Sequence, residues 1–153
     1  MRTHIRSILV VTLLSAGSML VSGTRLAAQP MQKTVNVTLT QAVVIGDETL
    51  APGEYTFKEV SPKLVQVFSG DKMRAEAAVI TIDTEGKQPS KDTKLVLYKF
   101  ADSDSFYIDK MWIQGLNTGF EFPVPDKFKD LKREREESVA GKYEEHELKE
   151  GLK

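Results

Sequence analysis

The stretch "KLVLYKFADSDSFYIDKMWIQ", residues 94–114, carries the strongest strand signals in the chain. Its two halves, 94–100 and 105–114, are rich in branched and aromatic side chains, and the acidic corner 101–104 separates them. Two such runs joined by a short polar turn predict an antiparallel hairpin. In the second half, alternation would place Phe106, Ile108, Lys110 and Trp112 on one face, and Tyr107, Asp109, Met111 and Ile113 on the other. Each face would then mix polar and large apolar groups.

Shorter runs of the same kind precede this hairpin. The segment "TVNVTLT", residues 34–40, alternates so that Val35, Val37 and Leu39 share one face. Turn residues separate further apolar runs at 42–45, 63–69 and 73–83. About seven short strands at intervals of about ten residues, with no helical period between them, predict an all-β fold. An antiparallel β-sandwich and a small β-barrel both fit this pattern.

The first 28 residues resemble a secretory signal peptide. Arg2 and Arg6 precede an apolar run over residues 8–21, and small residues follow around Ala28. The run is short and diluted by polar residues, whereas a membrane-spanning helix needs about 20 mainly apolar residues. We therefore expect cleavage after Ala28 or after Gly23, export to the periplasm or the cell exterior, and no membrane span in the mature protein.

Composition excludes several functional classes. The chain has no cysteine, so disulfide frameworks, thiol nucleophiles and cysteine-based metal sites are ruled out. Without residues 1–28 the chain holds 18 basic and 22 acidic residues, a net charge of −4. That balance gives no basic field for nucleic acid.

The last segment, residues 126–153, differs in composition from the β-domain predicted over residues 29–125. Seventeen of its 28 residues are charged, in a nearly even mixture of both signs. The pairs Lys132–Glu136 and Arg133–Glu137 lie four apart, which supports a helix. We expect a charged C-terminal tail that is partly helical or disordered.

One resemblance bears on the fold. "GDETLAPGEY" at 46–55, "KLVLY" at 94–98, "FYI" at 106–108 and Trp112 resemble segments of small, uncharacterised secreted β-rich proteins of bacterial origin. Those proteins carry a G-x-x-T-L-P-A-G-x-Y segment, and this chain departs from it by reading Ala51-Pro52 where proline usually comes first. The resemblance covers about residues 34–120. It implies a β-rich fold and export, and it adds no activity and no cofactor.

Few residues could support catalysis or bind a metal. His146 is the only histidine after residue 28, so a histidine-rich metal site is ruled out and a Ser-His-Asp triad is disfavoured. Asp102 and Asp104 begin like a calcium loop, but Tyr107 stands where an EF-hand requires glycine. We reject the EF-hand and keep these two aspartates as a weak calcium candidate.

Carboxylate pairs leave a hydrolase open. Glu54 with Glu59, or Asp109 with Glu121, could supply the two acids of a glycoside hydrolase. A domain of this size rarely builds a deep cleft around two carboxylates. A carboxylate-based hydrolase is therefore the least favoured of the functions considered.

The aromatic residues Tyr98, Tyr107 and Trp112 are the speculative ligand-binding candidates, since an exposed ring could stack on a sugar or a peptide. Buried rings would simply fill the core. We therefore expect an exported, non-enzymatic β-domain that acts as an envelope-associated binding or structural module, with an unknown protein or glycan as partner and no cofactor. The alternative is a small barrel that carries an apolar ligand.

Overall fold

The computed structural model describes residues 31–70, 74–101 and 103–147, and the predicted signal peptide lies outside them. The strands are β1 Met31–Leu39, β2 Val43–Ile45, β3 Glu48–Leu50, β4 Gly53–Ser61, β5 Leu64–Ser69, β6 Ala77–Ile80, β7 Ile82–Glu85, β8 Lys94–Phe100, β9 Phe106–Trp112, β10 Thr118–Glu121 and β11 Arg133–Glu147, and one 3₁₀ turn spans Asp126–Phe128. This confirms the predicted all-β fold. Within the described ranges, no helix is long and apolar enough to span a bilayer.

The eleven strands of the described residues belong to one sheet, in the order β3-β2-β9-β8-β11-β1-β4-β5-β6, and β10 pairs with both β9 and β7. The pairs are antiparallel except for β2 with β9. Strands β6 and β7 follow each other directly through Thr81, so one bent segment pairs with β5 at its start and with β10 at its end. The sheet therefore curls into a nearly closed barrel rather than two stacked sheets. Five of the described strands have only three or four residues, too few for alternation to reveal them all.

Inward-facing side chains fill the interior of the barrel. Val35, Val37 and Leu39 are buried together on one face of β1, as the alternation predicts. The largest fully buried side chains are Phe57, Phe122, Ile45, Leu95, Leu97, Met111 and Ile113. Burying a large apolar side chain contributes about 1.5–3 kcal/mol, so this core is the main stabilising term in a chain without disulfides.

A bulge in β9 changes which residues face the core. Val96 pairs with Lys110 but Leu97 pairs with Ile108, which leaves Asp109 as an extra residue in the ladder. The extra residue shifts the alternation by one position. Phe106, Ile108, Met111 and Ile113 therefore all belong to the core. The predicted division of this strand into two faces is wrong beyond Ile108, because strict alternation assumes an unbroken ladder.

The charged tail differs from the expected partly helical or disordered segment. Over Arg133–Glu147 it is a strand, and its two halves pair with different neighbours. Residues 133–140 pair with β8, and residues 141–147 pair with β1. A helix in this place would leave the facing edges of β8 and β1 without hydrogen-bond partners. The strand conformation is therefore favoured over a helix.

Gly141 lies where β11 changes neighbour. Its N–H donates to the carbonyl of Thr93, and its Cα is paired with Val37 of β1. A Cβ at this position would lie 2.8 Å from Val35 Cγ1, closer than packed carbon atoms approach. The missing side chain therefore lets β11 cross closely over β1 at a corner of the barrel.

Candidate functional site

The three aromatic candidates lie in different environments. Tyr107 is only 6% exposed, and its ring centroid lies 5.1 Å from that of Phe100 and 4.5 Å from that of Phe128. The segment between β10 and β11 carries Phe128 over the outer face of the sheet, so Tyr107 is part of a small second core. A buried ring in this setting packs and has no face left for a ligand.

Tyr98 and Trp112 are half-buried and are also engaged within the chain. Tyr98 donates its hydroxyl proton to Glu136 over 3.0 Å, and its ring lies 4.2 Å from the guanidinium carbon of Arg133. Trp112 pairs directly with Gly119, and a Cβ on that glycine would lie 2.7 Å from the indole Cε3. The ring of Trp112 thus covers a glycine of the neighbouring strand.

The carboxylate pair Asp109 and Glu121 is brought together, but around a lysine. Lys110 Nζ lies 3.2 Å from Asp109 Oδ2 and 3.7 Å from Glu121 Oε2, and Arg133 Nη1 lies 3.0 Å from Asp109 Oδ1. Burial lowers the pKa of Lys110, but attraction to Asp109 and then to Glu121 outweighs it, so the pKa is raised. Two carboxylates held by two cations are suited to an ion-pair network rather than to acid–base catalysis.

The second carboxylate pair does not form a site. Glu59 pairs with Lys33 over 3.3 Å, whereas Glu54 is exposed. The two acids are five residues apart on β4, so alternation directs them to opposite faces.

The weak calcium candidate gains no support from its surroundings. Asp102 lies outside the described residues, and the exposed Asp104 lies 3.8 Å from Lys99 Nζ. No group of three or more metal-ligating acids or histidines occurs in the part of the chain that the structure describes. His146 lies on β11, where it pairs with Gln32 in the ladder.

A different surface has the features of a binding site. Two adjoining depressions, of about 500 Å³ and about 720 Å³, run beside the β6–β7 segment and share Gly46, Asp47, Val79 and Pro123. We call them together the edge groove. Its further lining residues include Glu48 in the first depression and Phe122, Val124 and Pro125 in the second.

Two isoleucines stand exposed at the edge groove. Ile80 is 72% exposed and Ile82 is 56% exposed, although both belong to strands. Thr81 between them points inward, is buried, and donates its hydroxyl proton to the carbonyl of Lys63. The polar residue is therefore inside and the apolar ones are outside, which reverses the usual pattern of a half-buried strand.

The charges around the edge groove are mainly negative. Asp47 in the turn between β2 and β3 and Glu48 at the start of β3 are exposed, and neither forms an ion pair with a described residue. Lys129 supplies a positive charge, but it is bound to Asp126. That hydrogen bond lowers the pKa of Asp126 and raises the pKa of Lys129. Asp47 and Glu48 therefore remain available to attract a cationic group.

The sequence does not reveal this surface, because the apolar run "AAVITI", residues 77–82, is typical of a strand that other parts of the fold cover. The apolar composition of this run nevertheless indicates an exposed apolar face. A strand that is apolar on both faces needs a cover on each, and the sequence shows no helical period that could supply the outer one. The turn Gly46-Asp47 joins the paired strands β2 and β3. The same turn also forms a wall of the edge groove.

Comparisons with known proteins identify no relative. No protein-family model matches the chain, and neither a curated protein nor a solved structure matches it. The resemblance to small secreted β-rich bacterial proteins therefore stays a prediction.

Proposed function

We propose that the protein is an exported, non-enzymatic binding module of the cell envelope that holds another protein through the edge groove. The observation that carries this proposal is the exposure of Ile80 and Ile82 beside the groove. Adjacent exposed apolar side chains rimmed by polar residues are typical of surfaces that become covered by a partner.

The composition of β6 supports the same function. Exposed edge strands usually carry charges, prolines or bulges that prevent pairing with other chains. Residues 77–82 contain no charge and no proline. Apart from its short length, this edge has none of these protections, which is consistent with a role in binding a partner.

The alternative functions receive less support. A carrier of an apolar ligand needs an internal cavity of about 300–1,000 Å³, whereas Phe57, Phe122 and Met111 occupy the middle of this barrel. A carboxylate hydrolase needs two free acids, whereas Lys110 and Arg133 bind the buried Asp109. A glycan partner would need an open aromatic face, and Tyr107 is buried.

Export rests on the N-terminal sequence. The basic start and the diluted apolar run of residues 1–28 are those of a cleaved signal peptide. Recovery of the protein from the envelope with its N terminus at residue 24 or 29 is expected. An intact Met1 on membrane-bound protein would contradict export and would leave the groove proposal standing.

Site-specific photo-crosslinking in the producing cell tests the binding role. A photoreactive amino acid in place of Ile80 should give a discrete cross-linked product, and the same group in place of Thr38, exposed on the outer face of β1, should not. Ile82→Ser should weaken the product formed from position 80. Equal cross-linking from positions 80 and 38 would refute the edge groove as the binding surface.

A further inference from the structure

We propose that the occupant of the edge groove is an extended peptide segment with alternating apolar and basic residues, which adds to the sheet as a new strand beside β6. This inference rests on the proposed function and specifies the chemistry of its partner. It follows from three features of the groove: the hydrogen-bonding groups of β6, the apolar side chains beside them, and the acidic turn that faces them.

Within the described residues, the backbone of β6 is paired with a neighbouring strand on one side only. Among the described strands it pairs with β5 alone, and Thr81 N–H donates to Lys63 O over 2.6 Å just beyond its end. In an antiparallel ladder, successive residues direct their N–H and C=O groups to opposite sides. The N–H and C=O groups of Ala78 and Ile80 therefore point away from β5.

These groups call for a specific kind of occupant. Two N–H and two C=O groups, from residues about 6.8 Å apart along the strand, match the spacing of alternate residues in another extended chain. A sugar or a lipid does not present donors and acceptors with that repeat. An added strand satisfies all four groups at once.

Side chains of an added strand would find apolar contacts on both sides. Its residues that point outward would lie beside Ile80, and those that point inward would meet Val79 and Pro123 in the groove. Alternate apolar residues in the peptide would thus be buried. Ile80 would lose the solvent exposure that it has in the free protein.

The negative charge beside β6 favours basic side chains at the remaining positions of the peptide. Asp47 and Glu48 line the same depression as residues 77–80 of β6. Lysine or arginine in the added strand would pair with them, whereas aspartate or glutamate would be repelled. A second copy of this chain is disfavoured on the same ground, because pairing through β6 would bring two acidic turns to one interface.

Binding of two matched peptides to the protein without residues 1–28 tests this inference. One fluorescein-labelled peptide alternates valine and lysine, and the other alternates valine and glutamate. The lysine peptide is expected to bind with a saturable change in anisotropy that weakens with added salt. It should also slow hydrogen exchange at the amides of Ala78 and Ile80. Absence of saturable binding up to millimolar lysine peptide, or equal binding of both peptides, would overturn the inference.

The variant Ala78→Pro distinguishes two modes of peptide binding: backbone pairing with β6, and apolar contact with Ile80 and Ile82 alone. Proline removes an N–H that points away from β5, so the β5–β6 ladder and the thermal midpoint should survive. Affinity for the lysine peptide is expected to fall about tenfold, because a backbone hydrogen bond is lost and the ring obstructs pairing. Unchanged affinity would exclude strand addition.

A second variant tests whether Asp47 and Glu48 select a basic peptide. The double change Asp47→Lys with Glu48→Lys should reverse the preference between the two peptides. Glu134→Lys, exposed on β11, is the matched control and should leave the preference intact. Concentration-dependent dimers of the protein alone, lost in Ala78→Pro, would instead assign the edge to a second copy. Cross-linking from position 80 that survives in Ala78→Pro would overturn strand addition and leave the binding role standing.

Discussion

Arg133 Nη1 lies 3.0 Å from Asp109 Oδ1, which joins the first residue of β11 to the bulge in β9. Asp109 is only 3% exposed, and its carboxylate is paired with this guanidinium and with Lys110. The ion pair also ties the start of β11 to β9, the strand on the far side of its neighbour β8.

Arg133→Met should therefore lower the free energy of unfolding by about 1–3 kcal/mol, because it leaves a buried carboxylate short of a partner. Urea denaturation measures the change. Arg135→Met is the matched control on the same strand: Arg135 is 67% exposed, so loss of its ion pair with Glu137 should cost less than about 1 kcal/mol. In the background Asp109→Asn, Arg133→Met should cost less than it does alone. Equal losses for the two arginines would contradict the role given to Asp109.

Gly141→Ala is expected to destabilise the barrel by about 1–3 kcal/mol through overpacking. The new Cβ would lie 2.8 Å from Val35 Cγ1, and Val35 is completely buried and cannot move aside. Val35→Ala removes the obstructing methyl group. Gly141→Ala should therefore cost less in the Val35→Ala background than alone, a coupling that a thermodynamic cycle measures. If the stability changes of the two substitutions are purely additive, the barrel has space for a Cβ at position 141 beside Val35.

Gly119→Ala should displace the indole of Trp112. The new Cβ would lie 2.7 Å from both Met111 O and Trp112 Cε3. Because the chain has one tryptophan, its fluorescence reports this site alone. We expect a red-shifted emission and a loss of stability of about 1–3 kcal/mol. Gly141→Ala, on another strand, should leave the emission unchanged, and an unshifted spectrum in Gly119→Ala would contradict the packing of the ring.

Alkaline pH should destabilise the protein. Burial raises the pKa of Tyr143, with added repulsion from Glu145 and Glu59, and the pKa of Lys110 is raised as well. A raised pKa means that the folded state holds its proton more tightly than the unfolded state. Stability is thus full below the ordinary values of 10.0 and 10.5 and is lost as pH rises through the higher folded values.

Urea midpoints measured between neutral pH and pH 11 check this expectation. Tyr143→Phe removes one titrating group and should flatten the decline at high pH. Lys110→Arg keeps a cation beside Asp109 and removes the other titrating group. A decline that neither variant changes would assign the alkaline sensitivity to other residues.

The sequence predicts the fold wherever alternation is unbroken. Val35, Val37 and Leu39 were assigned correctly to the core because β1 has nine residues and no bulge. The bulge at Asp109 could not be predicted, since it is defined by pairing with β8 rather than by local composition. The strand in the charged tail was missed for a similar reason: its pairing partners lie far away in the sequence.

The candidate site was less predictable than the fold. The aromatic rings of Tyr98, Tyr107 and Trp112 make them candidates for ligand binding. The bulge in β9 and the segment that carries Phe128, however, decide which of these rings reach solvent. The exposure of Ile80 and Ile82 depends on what the rest of the chain leaves uncovered. That is a property of the assembled barrel and has no local sequence pattern.

The position of β11 also constrains the order of folding. It is the last described strand in the sequence, yet it lies in the middle of the sheet between β8 and β1. During synthesis, one edge of β1 therefore stays unpaired until residues 141–147 have been made. Closure of the barrel is a late event that joins distant parts of the chain, which predicts slow, cooperative folding with few stable partial forms.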